Sequence, residues 1–94
     1  MNTRYIEKLD TLPEHMRETI QAWIETGRPT GDFMRALLSN DLMGAYSHAD
    51  ADNAAAMKQW VMYLYNYAPC GCFGSPEAVK DWAKQGGLRG LEAA

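Results

Sequence analysis

The segment Gly27-Arg28-Pro29-Thr30-Gly31 combines residue types that can hold an anion. A glycine can take the left-handed conformation that ends a helix, and a proline keeps the residue before it out of the helical region. Thr30 is expected to cap the next helix, whose first backbone N–H groups lack partners and carry partial positive charge. With the Arg28 guanidinium beside them, these donors predict a phosphate-binding corner. An ordinary helix–turn–helix corner with a solvated arginine fits the same spacing.

Two aromatic residues that precede this corner, Tyr5 and His15, are candidates to stack on a nucleobase. Tyr5 lies in a short N-terminal helix that has little else to bury. His15 falls in the first turn of the second helix, where it could stack on or hydrogen-bond a base. The alternatives are a core tyrosine and a surface histidine.

The pair Cys70-Gly71-Cys72 contains both cysteines of the chain. A disulfide across so short a spacing would be strained, so we expect reduced thiols. Structural zinc sites usually space their ligand pairs by two to four residues, so we expect no metal here. The glycine-rich backbone could instead form an anion-binding nest. No catalytic motif accompanies it, which predicts a protein that is not an enzyme and needs no cofactor.

Helical signals dominate the chain, which predicts one all-α domain spanning residues 1–94. We expect about four to five helices with a long central one and a flexible tail over residues 88–94. The expected helical stretches are Thr3–Leu9, Pro13–Gly27, Thr30–Ser39, a long helix from Asp50 or Asp52 to Tyr67, and Ser75–Gly86. A short extra turn is expected around Leu42–Tyr46.

The composition limits the partners of this domain. A net charge of −3 disfavours a protein that follows a polymeric nucleic acid, because such proteins need a basic stripe. No apolar run is long enough for a membrane span, and charged residues interrupt the N-terminus where a signal peptide would lie. The chain contains three Trp, five Tyr and six Met, which is a large number of bulky side chains for 94 residues. We therefore expect part of this surface to be buried between subunits of a homo-oligomer.

Four sets of residues together resemble a family of small phage proteins, the cyclic-oligonucleotide sponges that counter CBASS immunity (the second anti-CBASS family). The similarity covers about residues 12 to 88, and no single motif suffices. The residues are Pro29-Thr30-Gly31-Asp32-Phe33, Ser39-Asn40-Asp41-Leu42 with Ala49-Asp50, Tyr65-Asn66-Tyr67-Ala68-Pro69, and Phe73-Gly74-Ser75-Pro76-Glu77.

The resemblance implies an all-helical hexamer in the cytoplasm of an infected bacterium. It implies that the chain binds cyclic di- or trinucleotide messengers, such as cyclic GMP-AMP, without cleaving them, and so keeps CBASS effectors inactive. Dinucleotides would lie between paired subunits, and trinucleotides in separate pockets near three-fold axes. The alternative is a small helical protein that inhibits or adapts a host protein through its aromatic and Met-rich surface.

The resemblance also implies roles for single residues. Arg28 would pair with a phosphate, and Thr30, next to Gly31, would donate a further hydrogen bond. Tyr5 or His15 would stack on a base. The segment Pro69-Cys70-Gly71-Cys72 resembles the trinucleotide pocket. Family members can carry arginine or threonine there, so the two cysteines weaken the expectation of tight trinucleotide binding.

Overall fold

The computed structural model describes residues 3–93, which fold into helices joined by short turns, with no strand in this range. Two 3₁₀ turns, Leu9–Thr11 and Glu14–Met16, lie between the first two α-helices. The α-helices are α1 (Arg4–Glu7), α2 (Arg17–Thr26), α3 (Asp32–Leu38), α4 (Leu42–His48), α5 (Ala51–Ala55), α6 (Met57–Asn66), α7 (Pro76–Gln85) and α8 (Gly87–Ala93). Within the same range, every helix is too short or too polar to cross a lipid bilayer.

Helix α2 carries apolar residues at helical spacing. Ile20, Trp23 and Ile24 lie on one face and are buried. The helix ends at Gly27, which takes the left-handed conformation with φ of 73° and donates its N–H to the Trp23 carbonyl at 2.9 Å. The predicted glycine cap is therefore confirmed.

Helix α3 begins one residue later than the sequence predicts. Thr30 was expected to cap it, but Gly31 occupies the cap position in an extended conformation, and no side chain caps the helix. The Gly31 carbonyl accepts the first helical bond, from the Arg35 N–H at 2.9 Å. The Thr30 hydroxyl is thus one residue too far from the helix to satisfy its first N–H groups.

The predicted long central helix is interrupted at Ala56, which separates α5 from α6. Asp50, one of the two starts expected, caps α5 by accepting a hydrogen bond from the Asn53 backbone N–H at 2.8 Å. Ala56 leaves helical geometry with ψ of 13°, yet its carbonyl still accepts from the Trp60 N–H at 2.9 Å. This interruption, together with α4 and α8, brings the number of α-helices in residues 3–93 to eight, where four to five were expected.

The C-terminal part holds one confirmed prediction and one difference. Ser75 caps α7, its hydroxyl accepting from the Ala78 N–H at 3.0 Å, and Gly86 ends that helix in the left-handed conformation. In place of the expected flexible tail, α8 follows at once and packs against α2, with Leu88 against the core. Ala94, the last residue of the expected tail, lies outside the described residues.

The core includes large aromatic side chains, and within residues 3–93 no buried side-chain polar atom lacks a hydrogen-bond partner. Trp82 Nε1 donates to the Trp23 carbonyl at 2.9 Å, and Trp23 Nε1 donates to the Cys72 carbonyl at 3.0 Å. Trp60 Nε1 donates to the Asn53 side chain at 3.1 Å. Since unpaired buried polar atoms are costly, these bonds let a small chain bury three indoles.

Candidate functional site

The corner around Arg28 rests on a rigid base. Gly27 is buried, and a Cβ placed there would lie 3.0 Å from the Trp82 carbonyl oxygen and 3.1 Å from the Gly87 backbone nitrogen. Helices α7 and α8 thus hold the end of α2 in place. The Arg28 side chain is half exposed, and its Nη1 lies 3.9 Å from Glu18 Oε1. Exposed pairs of this kind are weak, so the guanidinium can bind another anion.

The next residues leave the corner open to solvent. Thr30 is partly exposed, and Gly31 is exposed with no atom within 4 Å of the place where a Cβ would stand. Gly31 lines a cavity of about 320 Å³ together with Asp32 and Asp50. An anion that binds at Arg28 would therefore have carboxylates nearby, and Asp32 is neutralised in part by Arg35 at 3.3 Å.

His15 is exposed and pairs with Asp50, which lines this cavity, while His15 itself lines a separate open cavity of about 860 Å³. Its Nε2 lies 2.8 Å from Asp50 Oδ2. The pKa of Asp50 is lowered, first by the hydrogen bond from the Asn53 backbone and then by the one from His15. Asp50 therefore stays ionised and fixes the imidazole at the surface. His15 is thus placed where a ligand could contact its ring.

Tyr5 lies elsewhere, inside the core. It is buried, its hydroxyl donates to Glu25 Oε2 at 3.0 Å, and its carbonyl accepts from the Tyr63 hydroxyl at 2.8 Å. Burial, followed by the bond to Glu25, raises the pKa of the Tyr5 phenol to about 12. In this conformation the ring offers no exposed face to a base. Of the two stacking candidates, only His15 lies at the surface.

Backbone N–H groups of the Cys70–Gly74 loop already donate hydrogen bonds to carbonyls within the fold. The Cys72 N–H donates to the Pro69 carbonyl at 3.3 Å, and the Gly74 N–H donates to the Leu38 carbonyl at 2.7 Å. These donors are unavailable to an anion nest. Both cysteines are free thiols, with Cys72 fully buried and Cys70 exposed. Only Cys70 and Gly71 of the expected trinucleotide segment are fully exposed.

This difference predicts how the two thiols react. Burial raises the pKa of the Cys72 thiol to about 12, and the thiolate is the reactive form. We expect a thiol reagent at pH 8 to label Cys70 rapidly and Cys72 only after unfolding in guanidinium. Mass spectrometry of the native and unfolded protein would measure this. Rapid double labelling of the folded protein would contradict the buried position of Cys72.

Helices α4 and α6 carry an exposed apolar surface, which the sequence indicated only in part. Met43 and Tyr65 are each at least 80% exposed, and Leu42, Tyr46 and Val61 are exposed on the same two helices. The surface includes a cavity of about 230 Å³ lined by Leu42, Val61 and Tyr65. The sequence shows that α6 is rich in apolar residues, but it could not show which of their side chains stay outside. Tyr63, on the same helix as Tyr65, is buried.

The described residues form a small all-helical fold with an exposed arginine at the corner between α2 and α3. Among residues 3–93, no three His, Cys, Asp or Glu side chains lie close enough together to hold a metal ion. No protein-family model, curated protein or solved structure matches the chain.

Proposed function

We propose that this chain sequesters cyclic oligonucleotide messengers, such as cyclic GMP-AMP, without cleaving them, in the cytoplasm of an infected bacterium. The ligand class comes from the family resemblance of the sequence. The observation that carries the proposal is the half-exposed Arg28, which stands on a rigid, glycine-capped helix end with only a weak partner. An exposed guanidinium on a backbone held in this way can bind a phosphate with two parallel hydrogen bonds.

The other contacts follow from the residues near Arg28. The Thr30 hydroxyl and the Gly31 N–H are the proposed neutral donors to the same phosphate. His15 is the proposed stacking residue, because its ring is exposed and held by Asp50. Tyr5 has no direct role in ligand binding in this proposal. Its hydroxyl bonds to Glu25 on α2, the helix that ends at the corner.

The tight binding that sequestration requires favours a site built from two copies of the chain. Nanomolar binding needs about −12 kcal/mol, which one arginine–phosphate pair and one stacked base do not reach. A symmetric pair of chains doubles each contact to a two-fold symmetric ring. The exposed apolar surface on α4 and α6 supports self-association, up to the hexamer that the resemblance implies. Trinucleotide binding at residues 69–72 has less support, because Cys72 is buried and bonded.

Replacing Arg28 with alanine tests this function. We expect the variant to lose at least about tenfold in affinity for cyclic GMP-AMP, because a charge-assisted phosphate contact disappears. Isothermal titration calorimetry measures the affinity, and size-exclusion chromatography shows that the assembly is unchanged. Arg89→Ala is the matched control, since Arg89 is also an exposed arginine paired with a carboxylate, at 3.6 Å from Glu25, and does not line the cavity beside Gly31.

Two further measurements test the same proposed function: the affinity of a second variant and the chemical state of the recovered ligand. Glu18→Gln is expected to tighten binding a few-fold, because it removes the carboxylate that competes for the guanidinium. The ligand recovered after heat denaturation should be intact. Equal affinity in wild type and Arg28→Ala would remove Arg28 from the site, and a linear product would identify an enzyme.

A second candidate function is supported by the exposed apolar surface on α4 and α6. Monomeric proteins rarely expose contiguous apolar patches of several hundred Å², and such patches often bind other proteins. In this alternative the chain inhibits or adapts a host protein through Met43, Tyr46 and Tyr65. Cyclic nucleotides would then leave its melting temperature unchanged, and Tyr65→Glu would abolish capture of one defined host protein.

A further inference from the structure

We propose that the chain has a second, separate anion site, a basic pocket between the N-terminal segment and α6 that binds the phosphate group of a phosphate monoester. The pocket has a volume of about 280 Å³, and Lys8 and Lys58 line it together with Thr11, Gln59 and Tyr67. It contains none of the residues of the Arg28 corner. The proposal therefore does not rest on the function proposed above.

The charge of this pocket is opposite to that of the protein. The chain carries a net charge of −3, yet no carboxylate lines the pocket. Among the described residues, no Asp or Glu oxygen lies within ion-pair distance of either lysine ammonium group. Two ammonium groups that face one cavity repel each other, and an anion between them converts this repulsion into attraction. Lysine binds phosphate well, because its ammonium group is a mobile point charge.

Tyr67 anchors the basic side of the pocket. The Lys8 ammonium lies 5.4 Å from the centre of its ring, and the Arg4 guanidinium lies 5.0 Å from the same centre. The Tyr67 ring itself packs against Tyr63, with ring centres 6.5 Å apart. Cation–π contacts at this distance are attractive. The aromatic ring therefore holds a lysine of the N-terminal segment in the pocket that Lys58 of α6 also lines.

The rest of the ligand is defined by the neighbouring cavity. A larger open cavity, about 860 Å³, shares Thr11 and Gln59 with the basic pocket and is lined by Glu14 and Asp52. His15, the stacking residue proposed above, also lines this larger cavity, whereas the basic pocket itself does not include it. The combined groove thus has a basic end and an acidic end. A phosphate monoester with a neutral, hydrogen-bonding remainder fits this polarity, with phosphate at the lysines and the remainder toward Gln59. A compound with a second anionic group at the far end would be repelled by the carboxylates.

Adenosine monophosphate is the probe for this site, with adenosine as the uncharged comparison. We expect adenosine monophosphate, titrated into the full chain at low ionic strength, to shift the backbone NMR signals of Lys8, Thr11 and Gln59. Adenosine should leave them unchanged. The double variant Lys8→Ala/Lys58→Ala should weaken binding at least about tenfold, because both charge-assisted contacts are lost. Lys80→Ala/Lys84→Ala, on exposed positions of α7, is the matched control and should bind like wild type.

The results separate this site from the Arg28 corner. Arg28→Ala should bind adenosine monophosphate as wild type does, even if cyclic GMP-AMP does not bind at all. Unshifted signals at Lys8, Thr11 and Gln59, or equal affinity in a folded Lys8→Ala/Lys58→Ala variant, would overturn the proposal. Circular dichroism and melting temperature establish that the double variant is folded, and Lys8→Gln/Lys58→Gln replaces it if it is not.

Discussion

Replacing Gly87 with alanine is expected to lower the free energy of unfolding by about 2–4 kcal/mol. Gly87 has φ of 67°, a conformation that side chains rarely adopt. A Cβ there would also lie 2.6 Å from the Glu25 carbonyl carbon and 2.6 Å from the Thr26 nitrogen. Both are backbone atoms of α2, so the clash cannot be relieved by turning a side chain. Helix α8 would have to move away from α2.

Urea denaturation followed by circular dichroism measures this effect. Small domains have only about 5–15 kcal/mol of stability, so the expected loss is a large fraction of the total. Lys80→Ala, at an exposed position of α7, is the control for stability, since substitutions at exposed helix positions change stability little. An unchanged denaturation midpoint for Gly87→Ala would show that α8 does not pack on α2 as described. Because Gly87 also contacts Gly27, the variant should weaken binding at Arg28 as well.

Replacing Trp23 with alanine is expected to cost about 3–5 kcal/mol, enough to unfold much of a marginally stable chain. The indole is almost fully buried and links two distant parts of the protein. Its Nε1 donates to the Cys72 carbonyl at 3.0 Å. Truncation leaves both a large cavity and an unsatisfied buried carbonyl.

Trp23→Phe separates these two contributions. Phenylalanine fills most of the cavity but cannot donate a hydrogen bond, so the expected cost is smaller, about 1–3 kcal/mol. The same urea experiment compares both variants, with circular dichroism as the signal because tryptophan fluorescence changes with the substitution. Equal, small losses in both variants would mean that the Trp23 indole is not central to the core. Cys70→Ser, at an exposed position of the same loop, should have little effect.

The residues that cap and end several helices could be predicted from the sequence, because these interactions involve residues close together in the chain. Gly27 and Gly86 end helices in the left-handed conformation, and Asp50 and Ser75 cap the helices that follow them. Each involves partners no more than four residues away. The error of one residue at Thr30 has the same local origin, because Thr30 and Gly31 are both acceptable caps and the backbone selected the glycine.

The candidate site could be predicted only in part. Arg28 is exposed at a helix corner, as the glycine and proline around it indicated. The position of Tyr5 depended on Tyr63, 58 residues away, and on Glu25, so its burial could not be inferred from the short helix that contains it. The meeting of Lys8 with Lys58 in one pocket is likewise a contact between distant segments.

The sequence by itself determined that this chain is helical and where most helices begin and end, since these features follow from local backbone preferences. It also determined, through the type and spacing of its apolar residues, which face of α2 is buried. Only the tertiary structure decided which aromatic side chains are buried, that the C-terminal residues pack as a helix on α2, and which cations line one pocket. These outcomes depend on contacts such as those joining Trp23 to Cys72 and Trp82, which lie 49 and 59 residues away. Packing of the whole chain selects such contacts, and no local pattern encodes them.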